Sequence, residues 1–534
     1  METSIIRNGL VYDGTGHSPE TADVAIADGQ IRAVAPGVKL PGARVLDAKG
    51  LFVAPGFIDM HSHGDFLAHF SGKVRQSRVL QGITTDLSGQ CGLGPAPYTS
   101  EMEQWRQYIT PVIGNPAEAS WNWPRFGDFL DEMDARPCPH HRAYLVAHGA
   151  IRTLVTGLHD RTPDRKELRQ MSAVLDQSLL DGAFGMSFGL SYLPGLYAHK
   201  DEMIQMARIL EDAGRIFMVH IRSHSMEINA AVEEMLDVAR NTGVRMHISH
   251  LKSYANRTHG VEGQSLRQSI HQAFDDEGID ITYDEHPYSA GSTTLSQVLP
   301  PWIREGGASR MLQRLEDPNS LDRLRSELSD SGLSTAGWDN YSAIAGWHQI
   351  RISAAVQERN KQYEQMSIAD LARLWNTDEI DAVVRFIKDE GGASCMVMAN
   401  IFSDEDLAVL LASEHCMVGS DGIPTGIPHP RLFGTFPLFL RKTVKEWGSY
   451  TWEEALHVIT GKSALRLGLG NKGLIRKGYD ADLVIFDPEQ LDVPEDYANP
   501  WATPAGLKHV FVRGTDVLNS PAEPGGVLRA GFRP

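Results

Sequence analysis

Two histidines one residue apart, His61 and His63, close the short apolar run Phe57-Ile58-Asp59-Met60. If that run is a strand, alternation brings both imidazoles to one face at its C-terminal end. Neutral imidazole is the commonest protein ligand for zinc, so the pair suits one divalent metal. Taken alone it reads equally well as two polar residues at a loop mouth. The residues that end other apolar runs decide between the two. Cys91 follows Ile83–Leu87, His220 and His250 end two later runs, and Asp421 follows Met417–Ser420. Four imidazoles, one thiol and one carboxylate would converge on a single rim. A thiolate among imidazoles favours zinc over magnesium or calcium. Two groups of ligands follow: Cys91, His220 and His250 on one ion, and His61, His63 and Asp421 at a second or shared position. Three protein ligands leave a fourth place for water, whose pKa a zinc ion lowers to roughly 7. Asp421 can take that water's proton and pass it to a leaving group, the alternative being a purely structural ligand.

The runs that must position these residues are Phe57–His61, Ile83–Leu87, Ala143–Ala147, Ala183–Phe188, Ile216–Ile221, Arg245–His250, Ile279–Tyr283 and Met417–Ser420. Amphipathic stretches such as Lys166–Leu180, Lys200–Ala213 and Glu227–Arg240 lie between several of them. This alternation predicts an α/β chain with a (β/α)8 TIM-type barrel over residues 56–472, its active rim at the C-terminal strand ends. The interval from Pro287 to Met417 is too long for one crossover, which predicts an inserted subdomain over the barrel mouth at about 291–346. Residues 1–55 and 473–534 share a texture of short strands broken by Gly and Asp. They predict one small antiparallel β domain, a β-sandwich built from both chain termini.

At 534 residues, with 42% apolar and 22% charged side chains, the composition is that of a globular enzyme. A formal charge of −18 argues against nucleic acid as a partner, and no apolar run is long enough for a membrane helix. No secretion signal is visible, and four scattered cysteines do not make a disulfide framework. The expectation is a cytoplasmic protein acting on a small molecule. A homo-oligomer is left open.

Pro55-Gly56-Phe57-Ile58-Asp59-x-His61-x-His63 and Ser420-Asp421-Gly422 resemble the metal-dependent amidohydrolase superfamily. Within it, the chain resembles the N-acyl-D-amino-acid deacylases (D-aminoacylases) over nearly its whole length. The motifs are Gly82-Ile83-Thr84-Thr85 leading to Cys91-Gly92, Gly189-Leu190-Ser191-Tyr192-Leu193-Pro194-Gly195, His220-Ile221-Arg222, Ser249-His250-Leu251-Lys252 and His429-Pro430-Arg431-x-x-Gly434-Thr435-Phe436. The resemblance implies one zinc held tightly by Cys91, His220 and His250, with a second, weaker position at His61, His63 and Asp421. It implies Asp421 as general acid/base and Tyr192 as a group that polarises the scissile carbonyl. The substrate carboxylate calls for a planar guanidinium, for which Arg431 is the best candidate, assisted by Lys252, Tyr288 and Ser292. His286 stands where many members carry a tyrosine expected to help bind that carboxylate. Members acting on acyl-D-glutamate are expected to carry an extra basic residue where Thr293, Thr294, Leu295 and Ser296 offer none, which leans towards a neutral or apolar side chain. The implied reaction is zinc-dependent hydrolysis of N-acyl-D-amino acids to a carboxylate and a free D-amino acid. Rival readings are another amidohydrolase acting on a cyclic amide, small peptide or lactone, and a non-catalytic barrel. Hydantoinase-like relatives use a carboxylated lysine on strand four, and Ala183–Phe188 contains no lysine.

Overall fold

The computed structural model describes residues 3–254, 261–330, 334–335 and 338–531. The architecture is mixed α/β. A three-stranded parallel section, Phe57–Asp59, Ile83–Ser88 and His141–Tyr144, continues through Val146–Ala147 into a six-stranded parallel section. That section runs on through Gly185–Gly189, Ile216–His220, Arg245–Ile248, Ile281–Glu285 and Cys416–Val418. The two outer strands then meet, because Met60 N donates to Val418 O (3.1 Å) and Asp421 N to His61 O (2.7 Å). The strands therefore follow one another in a closed cyclic order. Their side chains are buried on both faces, the pattern of a parallel sheet covered by helices. The strand ends fall within two residues of the expected ones. The seventh run continues to Glu285 rather than stopping at Tyr283, and the fourth to Gly189.

A second, eight-stranded sheet draws on both ends of the chain. Leu483–Phe486 lies antiparallel to Phe52–Pro55, which in turn pairs with Ser4–Val11. Ile6, Val24, Ile26, Ile31, Val53, Leu483 and Ile485 form its buried core. The sheet is mixed rather than the expected purely antiparallel unit. Ser4–Val11 runs parallel to both Arg44–Asp47 and Phe52–Pro55. A register shift between Ile6 and Gly9 makes one bulged strand of two expected ones. The tail leaves this sheet: Leu528 N donates to Arg142 O (2.8 Å) and Ala530 N to Gly182 O (3.0 Å), under the parallel strands.

A third, antiparallel sheet orders Gly291–Thr294, Cys395–Met398 and Ile350–Ala354. Two of its strands lie beyond residue 346, so the extra segment after Glu285 is longer than the expected 291–346. Residues 331–333 and 336–337 of it lie outside the described residues. No helix among the described residues is long and apolar enough to cross a membrane.

Candidate metal centre and active site

Each chemistry-bearing residue sits where a parallel strand ends or in the turn just after. His61 and His63 follow Phe57–Asp59, Cys91 follows Ile83–Ser88, His220 ends its strand, His250 lies two residues past Ile248, and Asp421 lies three past Val418. Three of these turns are tight. Cys91, His250 and Asp421 all hold positive φ, at 55°, 35° and 49°, a conformation non-glycine residues adopt at a cost of about 1–3 kcal/mol. Glycine permits the close approaches that surround them. A Cβ on Gly189 would stand 2.0 Å from the Cys91 carbonyl oxygen, and one on Gly419 would stand 2.4 Å from the His61 Cβ.

The side chains converge. Cys91 Sγ lies 3.4 Å from Nε2 of both His61 and His250, and His220 Nδ1 lies 3.0 Å from His250 Nε2. Bonds of about 2.0–2.3 Å in a tetrahedral site place neighbouring ligand atoms roughly 3.3–3.8 Å apart, so the cluster has the dimensions of an ion's ligand shell. His61, His63 and Cys91 form one candidate group and Cys91, His220 and His250 another, with the thiol common to both. Asp421 Oδ1 lies 3.3 Å from His63 Nε2 and 3.7 Å from His61 Nε2. Burial, and then the surrounding imidazoles, hold His220 and His250 well below the ordinary range. They are therefore neutral, the form that ligates a metal. Burial pushes the Cys91 thiol up, a cost that a divalent cation reverses by favouring the thiolate.

The cluster opens onto a cavity of about 20 Å³, room for roughly one water. Leu93, Val112, Met398, Phe402 and Ile423 form its apolar wall, and Tyr192, Lys252, Ser292, Asp421 and Arg431 its polar one. Tyr192 shares a hydrogen bond with Thr293 Oγ1 (2.7 Å). Burial keeps its phenol well above the ordinary range, hence protonated and able to donate. Arg431 Nη1 lies 2.9 Å from Asp421 Oδ2, and Nη2 donates to Ser292 O (3.2 Å). Burial alone would raise the Asp421 carboxyl, but the Arg431 guanidinium and the His63 hydrogen bond outweigh it and hold it well below the carboxylate range. Lys252 Nζ donates to Glu285 Oε1 (2.7 Å) and lies over the Phe402 ring. Burial pushes Glu285 up to about 7 despite that lysine.

The remaining expected residues occupy different places. His286 is buried outside the cavity wall, its Nε2 within 2.7 Å of Lys252 Nζ and 3.0 Å of Arg431 Nη1. Burial, then these two cations, hold it well below the imidazole range, so Nε2 accepts from both. Tyr288 is also off the wall. Its hydroxyl points to Pro430 O (3.5 Å) and its ring packs on His429, so it supports the turn that carries Arg431. The Ser292 hydroxyl donates to Met396 O (3.0 Å) rather than into the cavity. Two residues escaped the sequence reading. Asp284 Oδ2 lies 3.3 Å from His61 Nδ1 and 2.9 Å from His247 Nε2, while Oδ1 accepts from His250 N. Asp59 accepts from the backbone N–H groups of His61 and Ser420 and from the Ser420 hydroxyl, joining the first and last strands. The signal for Asp284 was present: a polar residue at a strand end of the same rim.

The amidohydrolase family model matches residues 44–515. N-acyl-D-aspartate deacylase of Alcaligenes xylosoxydans xylosoxydans is 31% identical over 536 residues, covering 99% of this chain and 95% of that protein. D-aminoacylase of the same organism is 28% identical over 519 residues, covering 97% and 95%. The solved structure of N-acyl-D-glutamate deacylase from Bordetella bronchiseptica, complexed with zinc and a phosphonate inhibitor that mimics the tetrahedral intermediate, matches with a TM-score of 0.82. It is 27% identical over 99% of this chain and 100% of that one. With its family match running through all six rim residues, the chain belongs to the amidohydrolase family.

Proposed function

We propose that the chain is a zinc-dependent hydrolase that cleaves N-acyl-D-amino acids to a carboxylate and a free D-amino acid. The observation that carries this reading is the adjacency of two devices in one cavity. A thiol–imidazole cluster stands beside Asp421, and Asp421 stands 2.9 Å from the one guanidinium on the cavity wall among the described residues. Zinc would be held by Cys91, His220 and His250, with His61, His63 and Asp421 available to a second ion. When bound it supplies a Lewis acid and a water of lowered pKa.

The chain's own groups then divide the work. Arg431, aided by Lys252, takes the substrate's free carboxylate. Tyr192, held by Thr293, donates to the acyl oxygen as charge develops there. Asp421, ionised at neutral pH, accepts a proton from water and delivers it to the departing nitrogen. Substrate binding gives Arg431 a second carboxylate, which loosens its hold on Asp421 and raises that group's proton affinity when a base is needed. A neutral or apolar side chain fits best. With Arg431 and Lys252 both engaged by the substrate's free carboxylate, the described wall holds no further lysine or arginine for a second one. For the architecture, we read the cyclic strand order as a (β/α)8 barrel, the two-ended sheet as a β-sandwich domain, and residues 291–398 as the inserted subdomain. The four cysteines are free, in keeping with a cytoplasmic setting.

The test is to strip the metal with a chelator, restore zinc, and assay N-acetyl-D-leucine, -methionine, -phenylalanine, -aspartate and -glutamate beside their L forms. Zinc-restored release of apolar D-amino acids is expected; release of L forms alone, or none, overturns the reading. Asp421→Asn is expected to keep the zinc bound by the cysteine and its two histidines and lose about a thousandfold or more in kcat, as loss of a proton-transfer group does.

A further inference from the structure

We propose that His271, Asp275, Glu414 and His415 form a second divalent-cation site, of the zinc type, at the end of the parallel strands opposite the active site. His271 and Asp275 are one turn apart on the helix Val261–Asp275 and so share a face. Glu414 and His415 immediately precede the strand Cys416–Val418. One potential ligand atom from each of the four lies within 4.8 Å of the others.

The hydrogen bonding leaves this cluster unfinished. Ser413 Oγ takes up His271 Nε2 (3.3 Å), which turns Nδ1 towards two carboxylates, Asp275 Oδ2 at 3.7 Å and Glu414 Oε1 at 3.6 Å. Those separations are too long for hydrogen bonds and match the spacing of atoms around a common ion. His415 supplies the independent observation. Its side chain is 5% exposed, and its buried Nε2 has no hydrogen-bond partner. The ring packs edge-on against His271, centroids 4.6 Å apart, with Phe274 covering it at 4.4 Å. An unpartnered buried nitrogen is uncommon and asks for an explanation, and a cation provides one. Lys462, which donates to the carbonyls of Glu414 and Cys416, fixes the backbone on either side of His415.

Two imidazole nitrogens and two carboxylate oxygens select a borderline ion such as zinc or cobalt(II) over calcium or magnesium. The site would clamp the helix that follows the His250 strand to the segment that leads into the Asp421 strand. It takes no part in the hydrolysis.

The experiment titrates zinc, and separately cobalt(II), into enzyme already saturated at its tight site, counting bound ions by equilibrium dialysis. Wild type is expected to bind one equivalent more than His271→Gln. Asp275→Asn with Glu414→Gln, both exposed and safe for folding, is expected to weaken that equivalent tenfold or more. Turnover stays unchanged in all of them, and added zinc raises the melting temperature of wild type more than that of either variant. An extra equivalent that survives in both variants belongs elsewhere and overturns the proposal, as does wild type that binds none.

Discussion

His61 can present Nε2 to the cluster only while something holds its other nitrogen, and Asp284 does so from 3.3 Å while also bonding His247 and the His250 backbone. Carboxylates that orient a ligating imidazole typically carry about 10–100-fold in metal affinity or activity. Asp284→Asn is therefore expected to fall in that range in zinc titration and in kcat/KM; unchanged values would assign Asp284 to strand packing alone. Arg431 offers a parallel test. Lysine keeps the charge but loses the planar fork that spans Asp421, His286 and Ser292 O. Arg431→Lys should raise KM by about tenfold or more, roughly 1.4 kcal/mol, with zinc content unchanged. These residues also mark what the sequence could tell. The histidines, Cys91 and Asp421 stood out because few chemistries use those side chains at strand ends. Asp284 did not, because the run was closed at Tyr283 and its carboxylate fell just outside. His286 and Tyr288 stood on the right turn, but only packing distinguishes a side chain that faces the cavity from one that braces its wall.

At the scale of elements, the strand ends were legible to within a few residues and the pairing between elements was not. Hydrophobic runs mark strands locally, whereas register and direction are settled by partners far away in the chain. Ser4–Val11 illustrates the difference: its two halves were visible, but not the bulge that joins them or its parallel neighbours. The extra segment was seen to begin near Gly291, yet its sheet recruits Ile350–Ala354 and Cys395–Met398, which alternate no differently from ordinary crossover strands. What the elements jointly achieve at the site is close approach. The turn through Cys91 lies against the end of Gly185–Gly189, where Gly189 leaves room for the Cys91 carbonyl. Gly189→Ala adds one methyl group at 2.0 Å from that oxygen. Overpacking of this kind costs about 1–3 kcal/mol, here by pushing the Cys91 turn off the strand. The variant should fold, with a lower melting temperature, and should lose zinc to a chelator faster than wild type. Equal zinc retention would show that the turn can shift without moving the thiol.

Across the whole molecule, the two-ended sheet must be fixed to the parallel strands, and Asp482 is the charged centre of that junction. It lies just before Leu483–Phe486, with Oδ2 2.6 Å from Lys472 Nζ and 3.6 Å from His141 Nε2, while Oδ1 accepts from Arg513 N. His141 begins a strand of the parallel ring, so one buried carboxylate touches both units. Burial opposes its ionisation, but Lys472 and then His141 outweigh it and hold the carboxyl below the usual range. The same pairing raises Lys472 against its own burial. A carboxyl whose folded pKa is depressed contributes stability that is fully present above its unfolded value, about 3.9, and is lost as the pH falls through the folded one. Wild type should therefore lose melting temperature steeply below about pH 4. Asp482→Asn should be less stable at pH 7 by about 3 kcal/mol, the lower end for breaking a buried pair, since Asp480 still reaches Lys472 at 2.8 Å. Its melting temperature should also decline less between pH 4 and pH 2, so that the two curves converge in acid. Curves that stay parallel over that interval would show that the junction is held by its apolar contacts and backbone hydrogen bonds instead.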